Sequence, residues 1–188
     1  MPQEAAEIVF QARAGQGAKS AAHLLAEAAI EEGKHVKAFP EYGPERAGAP
    51  MKSYVRLSDK PVKTYAAIEE PDVLAVIDQS LLSPEITSGL KKDGLLLVNT
   101  TGTKDSVKEK TGYNGKIATV DATGIAIDTL NDDLPNTAML GALVRVTEIL
   151  EMKTITNRVK KFFLEKQKHE QSQANVNALK RGYAEVKE

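Results

Sequence analysis

The chain has 188 residues, enough to bury most of its apolar surface in one core, and we predict a single domain over residues 1–188. Its 25 basic and 26 acidic residues leave a formal charge of -1, so no electrostatic argument favours nucleic acid or an anionic membrane as partner. The absence of cysteine excludes disulfides, thiolate nucleophiles, cysteine-bound zinc and cysteine-ligated iron–sulfur clusters from this chain.

Two features bear on location. No apolar run approaches the roughly 20 residues that a membrane-spanning helix needs. The first seven residues are polar and acidic, whereas a secretion signal would be basic and then apolar. We therefore predict a cytoplasmic protein.

Short aliphatic runs recur along the chain and are typical of strands buried on both faces of a parallel sheet. The runs occupy residues 8–10, 36–39, 73–77, 95–98 and 117–120. Between the first two, apolar residues repeat at helical spacing over residues 18–32, and Gly33 supplies the C-terminal cap. The chain thus begins as a strand, a glycine loop, a helix and a second strand.

The middle of the chain departs from this alternation of strand and helix. Residues 53–57 alternate between polar and apolar, a strong turn follows at 58–61, and 62–65 read as a returning strand. We therefore predict an inserted β-hairpin.

Helical patterns dominate the rest. A short helix is predicted over residues 125–130, and Pro135 precedes a longer apolar helix over 139–150. Charged, amphipathic helices are predicted over about 153–188, packed on the domain by one face. The predicted fold is α/β, a doubly wound, mostly parallel, Rossmann-like sheet with an inserted hairpin and a helical C-terminus.

A glycine loop, Gly15-Gln16-Gly17, joins the first strand to the first helix. Backbone N–H groups at such a helix start favour an anion. The loop is not a P-loop, because Arg13 and Ala18 stand where that motif needs glycine. Alternatively, the glycines serve only a tight turn and close packing of strand on helix.

A dinucleotide fingerprint is matched in part. Gly15 and Gly17 fit its first two glycines, and Glu41 lies at the distance of a ribose-binding acid, but Ser20 replaces the third glycine. A stand-alone Rossmann-type nucleotide-binding module is therefore an alternative reading.

Two further blocks stand after the second strand: FPEYGPERAGAP at 39–50 and SYVRLSDKP at 53–61. Together with RAGQG at 13–17, PNTAMLGA at 135–142 and ALKRGY at 178–183, they closely resemble the gamma subunit of pyruvate and related 2-oxoacid:ferredoxin oxidoreductases. The resemblance spans essentially the whole chain. Ala12 and Ala47 depart from it, since the family often has Gly and Arg or Thr at these places.

The resemblance implies an enzyme complex of anaerobic metabolism, with this chain as one part. Such enzymes decarboxylate a 2-oxoacid, here expected to be pyruvate, on thiamine pyrophosphate with Mg²⁺. They pass electrons through [4Fe–4S] clusters to ferredoxin and transfer the acyl group to coenzyme A. The catalytic residues are expected in alpha and beta subunits, and the clusters in beta and delta. This chain is expected to bind no cofactor alone and to hold no catalytic residue or metal.

Two groups of residues are predicted to contact a cofactor or partner subunits. Cofactor contacts are predicted at the glycine loop, where Arg13 and Lys19 would hold a phosphate of coenzyme A; the predicted residues are Arg13, Gly15, Gln16, Gly17 and Lys19. Subunit contacts are predicted in a charged loop held by prolines and glycines, at Glu41, Tyr42, Glu45 and Arg46. A purely structural subunit that binds no ligand is a further alternative.

The remaining polar candidates have simpler interpretations. His23, His35 and His169 lack metal-ligand spacing and are expected to be structural or surface residues. Asp78 and Asp121 end apolar strands, and we predict that they cap the following turn or helix. The alternative is an acid–base role.

Overall fold

The computed structural model describes residues 5–42 and 48–188, without the side chain of Tyr42. Six strands form one sheet: β1 (Ala5–Arg13), β2 (His35–Tyr42), β3 (Pro50–Ser58), β4 (Val73–Val76), β5 (Leu95–Asn99) and β6 (Lys116–Val120). Across the sheet the order is β2-β3-β1-β4-β5-β6. Strands β1, β4, β5 and β6 pair in parallel, whereas β3 is antiparallel to both of its neighbours, so that β2 runs in the direction of β1.

Helices cover the sheet. The described helices are α1 (Ala18–Glu31), α2 (Pro84–Thr87), α3 (Lys104–Thr111), α4 (Ala122–Leu130), α5 (Asn136–Thr147), α6 (Met152–Glu165) and α7 (His169–Glu185). None of them is both long and apolar enough to cross a membrane.

Each face of the sheet has its own apolar layer, because side chains alternate along a strand. Ile8 and Phe10 pack with α1, α4, α5, α6 and α7 on one face. Val9 faces the other way and packs with Leu96 and with Val107 of α3. Helices on both faces confirm the predicted doubly wound α/β fold.

Strand β3 pairs with β1 and β2, and not with residues 62–65 as the predicted hairpin requires. Residues 62–65 do not form a strand, so the predicted return strand is wrong. Instead, Tyr54 of β3 lies opposite Phe39 of β2 and Val9 of β1. After β3 the chain crosses the sheet in an extended path, where Arg56 donates hydrogen bonds to the carbonyl oxygens of Ala66 at 2.6 Å and Ala67 at 3.2 Å. Alternation along a sequence predicts a strand but not its partner.

Several helix ends differ from prediction. Helix α5 begins at Asn136, directly after Pro135, and α4 begins at Ala122, earlier than predicted. Two helices, α2 and α3, were not predicted. The local signals for α3 were Thr103, which accepts a hydrogen bond from the Ser106 N–H at 3.3 Å, and Gly112, which ends the helix with a φ of 67°.

The C-terminal helices pack as a layer on α1 and α5. Ile155 and Val159 of α6 are fully buried in the core that α1 helps to form. Helices α5 and α7 meet at two glycines, Gly141 and Gly182, which leave the two backbones in contact. Beyond α7, Lys187 forms an antiparallel bridge with Thr119 at the edge of β6.

Candidate functional site

The candidate site lies where β1 and β4 end, side by side in the middle of the sheet. From β1 the chain proceeds through α1 to β2 on one side, whereas β4, β5 and β6 follow in order on the other side. This reversal leaves a crevice at the carboxyl ends of the strands, and such crevices are where open α/β sheets place ligands.

Four side chains meet there, and we call Arg13, Gln16, Asp78 and Ser80 the carboxyl-edge cluster. The carboxamide of Gln16 donates to Asp78 Oδ2 at 2.7 Å. Arg13 donates to the Ser80 hydroxyl through Nε at 3.2 Å and Nη2 at 3.1 Å, and its Nε lies 3.4 Å from Asp78 Oδ2. The cluster joins residues that are more than 60 positions apart.

Asp78 is the anchor of the cluster. Its Oδ1 accepts a hydrogen bond from the Ser80 N–H at 2.8 Å and caps the short 3₁₀ helix Gln79–Leu81. Burial by itself would raise the pKa of Asp78, but hydrogen bonds from Ser80 and Gln16 and the charge of Arg13 outweigh burial and lower that pKa. Asp78 therefore stays a carboxylate that holds two predicted site residues.

The capping prediction is confirmed for both aspartates. Asp121 Oδ1 accepts a hydrogen bond from the Gly124 N–H at 2.8 Å, at the start of α4. Asp78 does more than cap, because it also contacts Arg13 and Gln16. The sequence carried no signal for this contact, since the spacing of residues 16 and 78 matches no local motif.

The glycine loop is a tight turn held from both ends. The Gln16 N–H donates to the Arg13 carbonyl at 3.1 Å, and the Gln16 side-chain oxygen accepts from the Arg13 N–H at 2.8 Å. Gly15 and Gly17 have φ angles of 108° and 81°, which favour glycine.

The two glycines differ in their surroundings. A β-carbon on Gly17 would lie 2.6 Å from the Asn136 side chain, whereas one on Gly15 would meet nothing within 4 Å. Gly17 thus serves close packing, and Gly15 leaves open space beside Arg13.

Lys19 does not join the cluster. It is exposed in the first turn of α1, and none of the hydrogen bonds or ion pairs among the described residues involves it. The α1 N-cap, Gly17, makes no side-chain capping bond, so the first N–H groups of this helix lack a side-chain acceptor.

The structure describes only some of the predicted interface residues. Glu45, Arg46 and the side chain of Tyr42 lie outside the described residues. Glu41 and Tyr42 belong to β2 and not to a loop, which corrects the prediction for these two. Pro40 is compatible with β2 because this strand lies at the edge of the sheet.

Glu41 has a partner within the chain. Its carboxylate accepts a hydrogen bond from the hydroxyl of Tyr54, which is buried beside Phe39. Burial, followed by the hydrogen bond and charge of Glu41, raises the pKa of Tyr54. Glu41 therefore stabilises the β2–β3 pairing, in addition to any role in subunit contact.

A wide cleft lies at the opposite, amino-terminal edge of the sheet. It has a volume of about 1130 Å³, and its lining includes Val73 and Leu95 together with lysines and carboxylates.

Within the described part of the chain, no three side chains of the usual metal-ligating kinds come together. The Nε2 atom of His23 lies 3.4 Å from Oε2 of Glu27, one turn further along α1.

The sheet order and the polar carboxyl edge define an α/β protein of the doubly wound class, and comparison with known proteins gives its family. The pyruvate ferredoxin/flavodoxin oxidoreductase model matches residues 7–185. The chain therefore belongs to the pyruvate ferredoxin/flavodoxin oxidoreductase family, as its sequence blocks predict.

Its relatives are matched over nearly their whole length. The chain is 55% identical to pyruvate synthase subunit PorC of Thermotoga maritima over 181 residues, which cover 96% of this chain and 94% of that protein. It is 46% identical to the pyruvate/ketoisovalerate oxidoreductases common subunit gamma of Thermococcus kodakarensis, over 84% of this chain and 86% of that one. The crystal structure of the Thermotoga maritima pyruvate oxidoreductase subunit matches with a TM-score of 0.89 at 52% identity, over 98% of each chain.

Proposed function

We propose that the chain is the gamma subunit of a pyruvate:ferredoxin oxidoreductase. The complex would convert pyruvate, coenzyme A and oxidised ferredoxin into acetyl-CoA, CO₂ and reduced ferredoxin in the cytoplasm. The observation that carries the proposal is the 55% identity to a pyruvate synthase subunit over 94% of its length. The partners would be alpha, beta and delta subunits, with ferredoxin as electron acceptor.

The cofactors of this reaction would be divided among the subunits of the complex. Thiamine pyrophosphate would supply the reactive carbanion, and [4Fe–4S] clusters would carry the electrons. The chain has no cysteine to ligate such clusters, and its described residues form no group of metal ligands for Mg²⁺. We therefore assign these cofactors to the partner subunits and give this chain the task of positioning.

Native mass and absorbance test the assignment. Purified from its source, the chain is expected to migrate with larger subunits that show iron–sulfur absorbance. Migration near 20.3 kDa together with tight binding of NAD or ADP would instead support a stand-alone nucleotide-binding module.

Coenzyme A contact is the second part of the proposal, and the carboxyl-edge cluster supports it. The Arg13 side chain is 39% exposed, yet Ser80 and Asp78 fix its direction. Gly15 leaves open space beside it. Lys19 and the uncapped first turn of α1 stand at the same end of the helix. A phosphate group there would meet two cations and free N–H donors.

Kinetics of the reconstituted complex test this contact. In Arg13→Ala/Lys19→Ala, the KM for coenzyme A should rise about 10- to 100-fold, because two charge-assisted hydrogen bonds are lost. The KM for pyruvate should not change. The control is Lys180→Ala, which removes an exposed lysine from α7. An unchanged KM for coenzyme A in an intact complex would refute the contact.

Subunit docking through Glu41, Tyr42, Glu45 and Arg46 is the third part. It is supported by the charged block that follows β2. This edge strand runs in the direction of β1 and therefore ends at the same edge of the sheet as the glycine loop. A paired charge reversal, Glu45→Arg/Arg46→Glu, should reduce co-purification with the other subunits, since like charges then oppose each other across the interface. Glu70→Lys, at an exposed site after β3, is the control. Equal recovery of both complexes would count against this docking surface.

A further inference from the structure

The guanidinium group of Arg13 is held by groups beside both strands that flank β1. On the β4 side, Arg13 Nε and Nη2 both donate to the Ser80 hydroxyl, at 3.2 and 3.1 Å. On the β3 side, Nη1 donates to the Gly48 carbonyl oxygen at 3.1 Å. These two anchors fix the plane of the guanidinium, because a planar group cannot turn without breaking one of them.

The contacts leave part of the Arg13 side chain free. Three of its five N–H donors are used by Ser80 and Gly48. The other two, one on Nη1 and one on Nη2, have no acceptor among the described residues. Donors on two neighbouring nitrogens match two oxygens of one phosphate or carboxylate, and such paired contacts are stronger than neutral hydrogen bonds. Arg13 therefore presents a fixed two-donor fork at the carboxyl edge.

Ser80 is itself fixed in place, because it belongs to the short 3₁₀ helix Gln79–Leu81 and this helix is tied to the sheet. Asp78 accepts the Ser80 N–H at 2.8 Å. On the far side, Thr100, directly after β5, donates to the side-chain oxygen of Gln79 at 2.8 Å. The 3₁₀ helix is thus held from β5 as well as from β4, and the Ser80 hydroxyl has little freedom to move.

Asp78 and Ser80 have separate tasks. The Asp78 carboxylate accepts from the Gln16 side chain at 2.7 Å, and Gln16 in turn accepts from the Arg13 backbone N–H at 2.8 Å. Asp78 thereby fixes backbone on both sides, although its Oδ2 also lies 3.4 Å from Arg13 Nε. Among the described side chains, the Ser80 hydroxyl is the one that accepts hydrogen bonds from the guanidinium.

Folding gains little from this arrangement. The contact between Arg13 and Ser80 is exposed, and contacts between exposed side chains contribute little to the free energy of unfolding. A ligand gains more, because a long side chain that is already ordered does not have to be ordered on binding. The geometry of the contact is therefore better explained by binding than by folding.

We propose that Ser80 is a positioning residue for ligand binding. Its hydroxyl holds the Arg13 guanidinium so that the two free N–H groups receive two oxygens of one anionic group. The inference rests on the proposed contact of Arg13 with a phosphate of coenzyme A, and it adds the group that orients this arginine. Ser80 acts through Arg13 and not by touching the ligand.

Steady-state kinetics of the reconstituted complex test the positioning role. Ser80→Ala removes only the hydroxyl, since the backbone N–H that donates to Asp78 is kept. The KM for coenzyme A should rise about 3- to 10-fold, whereas the KM for pyruvate and the kcat at saturating coenzyme A should not change. Ser80→Thr restores a hydroxyl and should bring the KM for coenzyme A back to within about twofold of the unaltered complex.

The matched control is Ser88→Ala. It removes another exposed hydroxyl, which donates to the Glu85 carbonyl oxygen at 2.8 Å and lies outside the carboxyl-edge cluster. All of these kinetic constants should stay unchanged in the control.

Two further variants show whether Ser80 acts through Arg13. In an Arg13→Ala background, Ser80→Ala should have no additional effect. Arg13→Lys keeps the charge but lacks the fork, so its KM for coenzyme A should stay elevated. Additive effects of the two alanine changes, or an unaltered KM in Arg13→Lys, would overturn the positioning role.

The same measurements separate this inference from the proposed function. A raised KM for coenzyme A in Arg13→Ala beside an unaltered KM in Ser80→Ala overturns the positioning role and leaves the coenzyme A contact standing. An unaltered KM in Arg13→Ala/Lys19→Ala instead refutes the contact itself, and the positioning role with it.

Discussion

Gly141 of α5 lies directly against the backbone of Leu179 in α7. A β-carbon at position 141 would stand 1.9 Å from the Leu179 carbonyl oxygen, and one on Gly182 would stand 1.9 Å from the Ala138 carbonyl oxygen. Backbone atoms on both sides leave no flexible side chain that could move aside. The helices therefore cross at a distance that only glycine permits.

Gly141→Ala should lower the free energy of unfolding by about 2 kcal/mol or more, because the helices must separate or bend. Ala is the better helix former by about 1 kcal/mol, so a stabilising result would mean that the contact is not close. Urea denaturation measures the change. Lys180→Ala, on the exposed side of α7, should stay within about 0.5 kcal/mol of the unaltered protein.

Gly17→Ala should also lower the free energy of unfolding, for two separable reasons. The left-handed φ of 81° strains alanine by about 1 kcal/mol, and the new methyl group would meet Asn136. In an Asn136→Gly background the clash disappears and only the strain should persist. Thermal or urea unfolding of the double-mutant cycle measures the coupling. A zero coupling energy would show that positions 17 and 136 do not touch.

The ion pair between Glu27 of α1 and Arg158 of α6 should contribute measurably to the free energy of unfolding. Arg158 is 6% exposed, and its Nε lies 2.9 Å from Glu27 Oε2, at an angle that does not make a hydrogen bond. Arg158→Met should cost about 1–2 kcal/mol, less than a fully buried pair, because the Glu27 side chain is 31% exposed. Adding Glu27→Gln should recover part of this loss in denaturation experiments. Full additivity of the two changes would contradict the pairing.

The stability contributed by Asp78 should depend on pH. Its folded pKa is below the ordinary 3.8, so the unfolded chain takes up the proton first as the pH falls. The contribution is therefore fully present well above pH 3.8 and is lost as the pH drops through the folded pKa. Relative to Asp78→Asn, the unaltered protein should be about 1 kcal/mol more stable near neutral pH, and this difference should shrink in acid. Urea midpoints across pH measure it, and a constant difference would argue against a charged Asp78.

The sequence predicted the local parts of the fold and site. The aliphatic runs gave five of the six strands of the sheet, and residues 53–57 gave the sixth, β3. The glycine loop and the first helix were correctly placed, and the caps at Asp78 and Asp121 were predicted. These features depend on periodicity and on neighbours within a few residues, which the sequence records directly.

The tertiary structure decided which distant residues meet. It placed β3 between β1 and β2, brought Asp78 to Arg13 and Gln16, and set Asn136 against Gly17. Strand pairing and helix crossing depend on how whole faces fit together, and no spacing along the chain encodes that fit. The sequence by itself thus determined the family, the strands and the glycine loop, whereas packing decided the partners of that loop and the close crossing of α5 and α7.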